Sequence, residues 1–308
     1  ITLIALVITV VILIILATVT LNVVLGEGGL IQRAQQAKDL TEQATLEEQQ
    51  GLNSLMSEFT NIMAEEPTPP EPEEPEEPPI DKVKPKVGYY ADIDGDGTPD
   101  GVIYADLAVS KSGQWMDSDG TYSYTAKTNT KDYYISQTNY EGPFGTKDVL
   151  TAIDGEGEDR FYVMALEDFN TGTSYCWYDD AYGNMDDYAT ATSLDFGTGK
   201  ANTEAMIAKW NSSAYGAQND DGTYLDMWGA IQDKVAEGWF VPSRGEWGAF
   251  GDNLGITTDN YVNYGLSGWC WSSSQFNTNL AWHANFNGGY MTSHGVNYIY
   301  SVRMSATF

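Results

Sequence analysis

The first twenty-five residues of this 308-residue chain, Ile1 to Leu25, carry no charged side chain, and the first formal charge is Glu27. As a helix this stretch covers about 37 Å, enough to cross the roughly 30 Å hydrocarbon core of a bilayer. A secretory signal has a charged start, a shorter apolar core and a small-residue cleavage site, and is absent from a mature chain. The expectation is therefore a retained apolar segment from which a leader has been removed. A plain membrane anchor is the simpler alternative.

Gly26, Gly28 and Gly29 interrupt the pattern, favouring a kink or a melted turn. Beyond them, Leu30 to Glu65 is rich in helix formers. Leu52, Leu55, Met56, Phe59, Ile62 and Met63 follow i, i+3, i+4, i+7 spacing and give one apolar face. That face is expected to bury against a neighbouring copy or against the chain's own globular part. Residues 66–86 open with a proline and glutamate tract. Proline removes helix donors and the carboxylates repel, so an extended spacer is expected.

The opening Ile1-Thr-Leu-Ile-Ala-Leu-Val-Ile-Thr9 resembles the N-terminal helix of type IV pilins, in particular those of Gram-positive bacteria. The resemblance covers residues 1–65. It implies a processed, methylated N-terminus at Ile1, insertion in the membrane before assembly, and packing with copies of itself into an extracellular filament. The family's glutamate at the fifth position is Ala5 here. The pairing ascribed to that carboxylate is therefore not expected, while hydrophobic packing is.

Net charge is -29, from 44 acidic and 15 basic residues. This excludes nucleic acid and anionic lipid as partners of the surface and suits an extracellular protein. The two cysteines, Cys176 and Cys270, are expected to form a disulfide in an oxidising compartment, the alternative being two separate buried thiols.

From Val87 the pattern is globular. Strands are expected at 87–92, 102–109, 121–126, 132–136 and 161–166. Helices are expected at 203–210 and 224–238, and one opened by a Ser243/Glu246 capping box runs to about Leu254. Strands return at 269–276, 280–286, 289–294 and 298–307. This order predicts an α+β domain over 87–308 whose first and last strands can pair, behind the long helix of 1–65. Gly238-Trp-Phe-Val-Pro-Ser, Trp269-Cys-Trp-Ser-Ser-Ser and Ala281-Trp-His-Ala-Asn-Phe286 resemble the C-type lectin fold. The match is to the bacterial branch that includes the variable proteins of diversity-generating retroelements.

Two constellations carry candidate chemistry. Asp92, Asp94, Asp96, Thr98 and Asp100 follow the spacing of a calcium loop, with Gly97 at its sharp turn. Ile103 stands where an EF-hand has its bidentate glutamate, and a polar hairpin is the alternative reading. The second is a ligand face comprising Phe276, Asn277, Asn279, His283, Asn285, Asn287, Tyr290, Thr292, Ser293, His294, Asn297, Tyr298 and Tyr300. Alternation places Trp282, Ala284 and Phe286 inward, and His283 and Asn285 outward. Tyr, Asn, Ser and Gly are the vocabulary of adaptable binding surfaces. The lectin resemblance implies an unidentified protein or glycan ligand, and a face diversified by rewriting adenines in asparagine codons. The Glu-Pro-Asn type sugar motif is missing from the globular part.

No nucleophile elbow, zinc-protease motif or phosphate loop occurs, so an enzyme is not expected. The leading expectation is a filament subunit displaying a binding head. A purely structural pilin and a monomeric membrane-anchored receptor are the alternatives.

Overall fold

A computed structural model describes residues 51, 79–82, 84–178, 191–212 and 226–308. The chain divides into two units, 1–74 and 75–308, and of the first only Gly51 is described. Ile1, the glycine break, the apolar face of 52–63 and the Pro/Glu tract up to Pro78 lie outside the described residues.

The described part is predominantly β. It contains strands β1 (Tyr90–Asp92), β2 (Gly101–Asp106), β3 (Lys111–Gln114), β4 (Thr121–Tyr124), β5 (Tyr133–Gly142), β6 (Gly145–Ala152), β7 (Phe161–Ala165), β8 (Tyr175–Cys176), β9 (Trp269–Asn277), β10 (Leu280–Asn285), β11 (Tyr290–Gly295), β12 (Ile299–Tyr300) and β13 (Ser305–Thr307). Four short helices stand between β8 and β9: α1 (Gly199–Asn211), α2 (Met227–Ala230), α3 (Gln232–Ala236) and α4 (Arg244–Asn253). This corrects the expected class. The described residues form a mainly β unit whose longest helix has 13 residues, and they hold no long N-terminal helix. None of their helices is long and apolar enough to cross a membrane.

Six strands form the main sheet in the order β13-β7-β2-β1-β6-β5. The last strand joins the sheet of the first but pairs with β7 rather than β1. Phe308 explains the choice. Its ring packs 5.0 Å from Tyr133, and its carbonyl accepts the Phe161 and Arg160 amides. The globular unit also begins earlier than 87. Ile80 is buried and donates its amide to the Tyr133 carbonyl at 2.8 Å.

Arg160 is fully buried and grips both oxygens of Asp106 at 2.8 and 2.9 Å, in the bidentate geometry that makes a buried pair tolerable. Arg303 donates to Asp168 at 2.7 Å and fixes the turn after β7 to the segment before β13.

The Ser243/Glu246 capping box forms and opens α4. Glu246 does more than cap, because its carboxylate also accepts the amides of Gly197 and Gly199 at 3.1 and 3.2 Å. One buried side chain thus pins the start of α1 to the start of α4. Burial pushes its carboxyl up to about 7, although three backbone donors pull the other way.

The β9–β11 sheet, in the order β11-β10-β9, lies between two apolar clusters. Cys270, Ala284, Phe286 and Met291 belong to the first, with Trp247 and Phe250 of α4. Trp271, Ala281, Tyr300 and Val296 belong to the second, with Trp177 and Trp228. Burial on both faces explains why Ala281 to Phe286 are all buried. The expected disulfide is not there: Cys176, on β8, and Cys270, on β9, are both buried thiols.

Candidate functional site

Residues directly opposite one another in an antiparallel pair share a face. The register sets Asn285 against Tyr290 and Trp269, His283 against Thr292 and Trp271, and Ala281 against His294. One face of the sheet therefore carries Trp269, Trp271, His283, Asn285, Tyr290, Thr292 and His294. Tyr298 and Tyr300 fold over it. Tyr300 lies 4.6 Å from Trp271, 4.8 Å from His283 and 5.5 Å from Trp269. Tyr298 stacks on His294 at 3.8 Å.

The alternation read from the sequence is correct in phase but not in exposure. His283 and Asn285 do face away from Trp282 and Ala284, yet both are buried, His283 to 2 % exposure. Trp271 and Tyr300 cover that face. Burial, reinforced by His294, holds the His283 imidazole down at about 4, so it is neutral at physiological pH. Its Nδ1 has no partner. Asn285 closes the following turn by accepting the Gly288 amide at 2.7 Å. Tyr300, also expected to be exposed, is buried, and its hydroxyl hydrogen-bonds His294 Nδ1. Burial and the nearby phenols of Tyr298 and Tyr290 push that hydroxyl up to about 12.

Around this buried centre lies an exposed rim. Tyr290, Trp269, Tyr298 and Ile299 are 41, 46, 51 and 66 % exposed. Asn287 and Asn297 are exposed beside them, and Thr292, Ser293 and His294 are half-buried. Ser293 pairs opposite Trp282 and so belongs to the other face, as does Asn277 opposite Leu280. Phe276 is exposed and packs on Trp282 at 5.3 Å, and Asn279 is held by the Asn277 carboxamide. The thirteen expected residues thus split into a buried trio, a rim, and a group at the β9–β10 hairpin.

Sequence reasoning missed Trp269 and Ile299. It also missed a signal that was available. From Asn260 to Val302 there is no Asp, Glu, Lys or Arg, in a chain of net charge -29. The rim is electrically neutral, aromatic and amide-rich, the composition of a contact surface freed from charge repulsion.

The aspartate loop joins β1 to β2. Asp92, Asp94 and Asp100 bring carboxylate oxygens within 4.8 Å of one another. Asp96 and Thr98 do not join them. Both are exposed, and Asp96 accepts the Thr98 amide at 2.7 Å. Asp92 is buried and oriented by Thr151 and by the amides of Gly95 and Gly97. Gly97 has φ +89, which a side chain would strain. Burial, with Asp94 and Asp92 adding to it, raises the Asp100 carboxyl above the usual range. Asp94 and Asp100 line a cavity of about 690 Å³ that also meets Phe169 and Trp239.

No family model matches the chain, and no curated protein matches it.

Proposed function

We propose that this chain is a cell-surface recognition subunit of a pilin-like filament. On this reading the uncharged N-terminal segment assembles with copies of itself, after residing in the membrane, and the mainly β C-terminal unit binds a protein or glycan outside the cell. The observation that carries the recognition half is the neutral rim of Trp269, Tyr290, Tyr298 and Ile299. Large apolar patches exposed on a soluble unit mark interaction sites, and repetition along a filament multiplies a weak contact through avidity. The assembly half is supported by the pilin-like opening at Ile1 and the absence of charge before Glu27. Negative-stain imaging of material sheared from cells tests it. Thin filaments labelled by an antibody to the C-terminal unit are the expected result, and a dispersed single chain contradicts assembly.

Calcium is the proposed ion for the aspartate loop. Three convergent carboxylates are hard oxygen donors, and their mutual repulsion is what a divalent cation relieves. Catalysis is not proposed. His283 is sealed beneath Tyr300, and Cys270 is buried, which pushes its thiol well above the usual range.

A further inference from the structure

Three arginines lie among the described residues, and two of them hold an aspartate within hydrogen-bonding distance, although Arg303 keeps one buried guanidinium nitrogen without a partner. Arg160 holds the buried Asp106 and Arg303 the half-buried Asp168, each at 2.9 Å or less. Arg244 is different. Its nearest carboxylate, Asp119, sits 3.7 Å away, beyond hydrogen-bonding distance. Its Nε is buried and has no partner. A charged donor left in that condition calls for an explanation.

The surroundings supply one. The guanidinium lies 4.7 Å over the Trp282 ring, which fixes its plane. Its backbone amide is tied to Ser274 Oγ at 3.0 Å, which fixes the main chain from which the side chain extends. The side chain lines a cavity of about 350 Å³ together with Thr121, Tyr122, Ser123 and Asp195. Asp195 is occupied locally by the Ser193 hydroxyl at 3.3 Å. The geometry points to a carboxylate-binding site: a ligand carboxylate enters this cavity, takes the open edge of the Arg244 guanidinium, and is flanked by the hydroxyl-bearing strand β4.

The planar fork of arginine matches a carboxylate through two parallel bonds, and stacking on tryptophan leaves that edge free. Two carboxylate sources fit: the C-terminus of a peptide and an acidic sugar. The site lies on the Trp282 side of the sheet, away from Tyr298 and Tyr300, so it stands whether or not the aromatic rim binds anything.

The test is calorimetric titration of the full chain with acetyl-dialanine and with glucuronate, each beside its uncharged amide. At least one acid is expected to saturate, with its amide roughly tenfold weaker or more. Which acid does so identifies the source. Arg244→Lys retains the charge but loses the fork, and is expected to weaken that acid roughly tenfold at an unchanged thermal midpoint. The proposal is overturned if neither acid saturates, if acid and amide bind alike, or if the lysine variant binds as tightly. Should that variant fail to fold, the acid-against-amide comparison on the unaltered chain decides.

Discussion

The ring of Tyr300 lies 4.8 Å from that of His283 and closes the sheet face on which the histidine stands. Together with Trp271, Tyr300 thus converts an outward-facing strand position into a buried one.

Tyr300 and Tyr298 should therefore respond in opposite ways to truncation. Tyr300→Ala removes a buried aromatic and should cost about 3 kcal/mol of stability. It should also admit water to His283, raising the imidazole from about 4 toward its ordinary 6.5. Tyr298→Ser, at an exposed position, should change stability by less than about 0.5 kcal/mol. Denaturant unfolding and an NMR titration of the histidines measure both effects.

Glu246 sets a pH dependence. Its folded value is about 7 against an ordinary 4.5. A carboxyl raised by folding contributes stability that is fully present below about 4.5 and lost as the pH rises through 7. The difference amounts to something on the order of 3 kcal/mol. Thermal midpoints of the unaltered chain and Glu246→Gln, followed across that window, should diverge, with the glutamine variant losing this component of the slope.

The aspartate loop predicts a calcium response. Calcium should raise the thermal midpoint of the unaltered chain in proportion to the logarithm of its concentration above the dissociation constant. Asp100→Asn should abolish that shift. It should also stabilise the metal-free protein, because the amide removes one of three crowded negative charges while still accepting the Ile93 amide. A calcium titration by differential scanning calorimetry checks both effects.

Breaking the buried pair in the main sheet should be severe. Asp106→Asn leaves the Arg160 guanidinium buried without its counter-charge and should cost about 3–5 kcal/mol, measurable by urea unfolding.

Much of this unit was legible in local pattern. The hairpin strands at 269–285 and the Ser243/Glu246 cap stand close to where alternation and capping chemistry place them. The convergence of Asp92, Asp94 and Asp100 follows from the turn that Gly97 permits. What could not be read depends on partners distant in sequence. Burial of His283 requires Trp271 and Tyr300 to meet over it. The pairing of β13 with β7 is decided by Phe308 against Tyr133 and Phe161. The expected strand 298–307 is broken instead into β12 and β13, which join different sheets. Lys111–Gln114 and Gly145–Ala152 were not anticipated as strands, their pattern being weak in isolation.

The proposed recognition depends on the neutral rim of Trp269, Tyr290, Tyr298 and Ile299. The most direct measurement is adhesion of cells displaying the chain, comparing the unaltered protein with Trp269→Ser/Tyr298→Ser at matched expression and thermal midpoint. Adhesion should fall severalfold or more, with filaments, where they form, unaltered in number. Adhesion equal to that of the unaltered chain would contradict the claim that this face recognises anything.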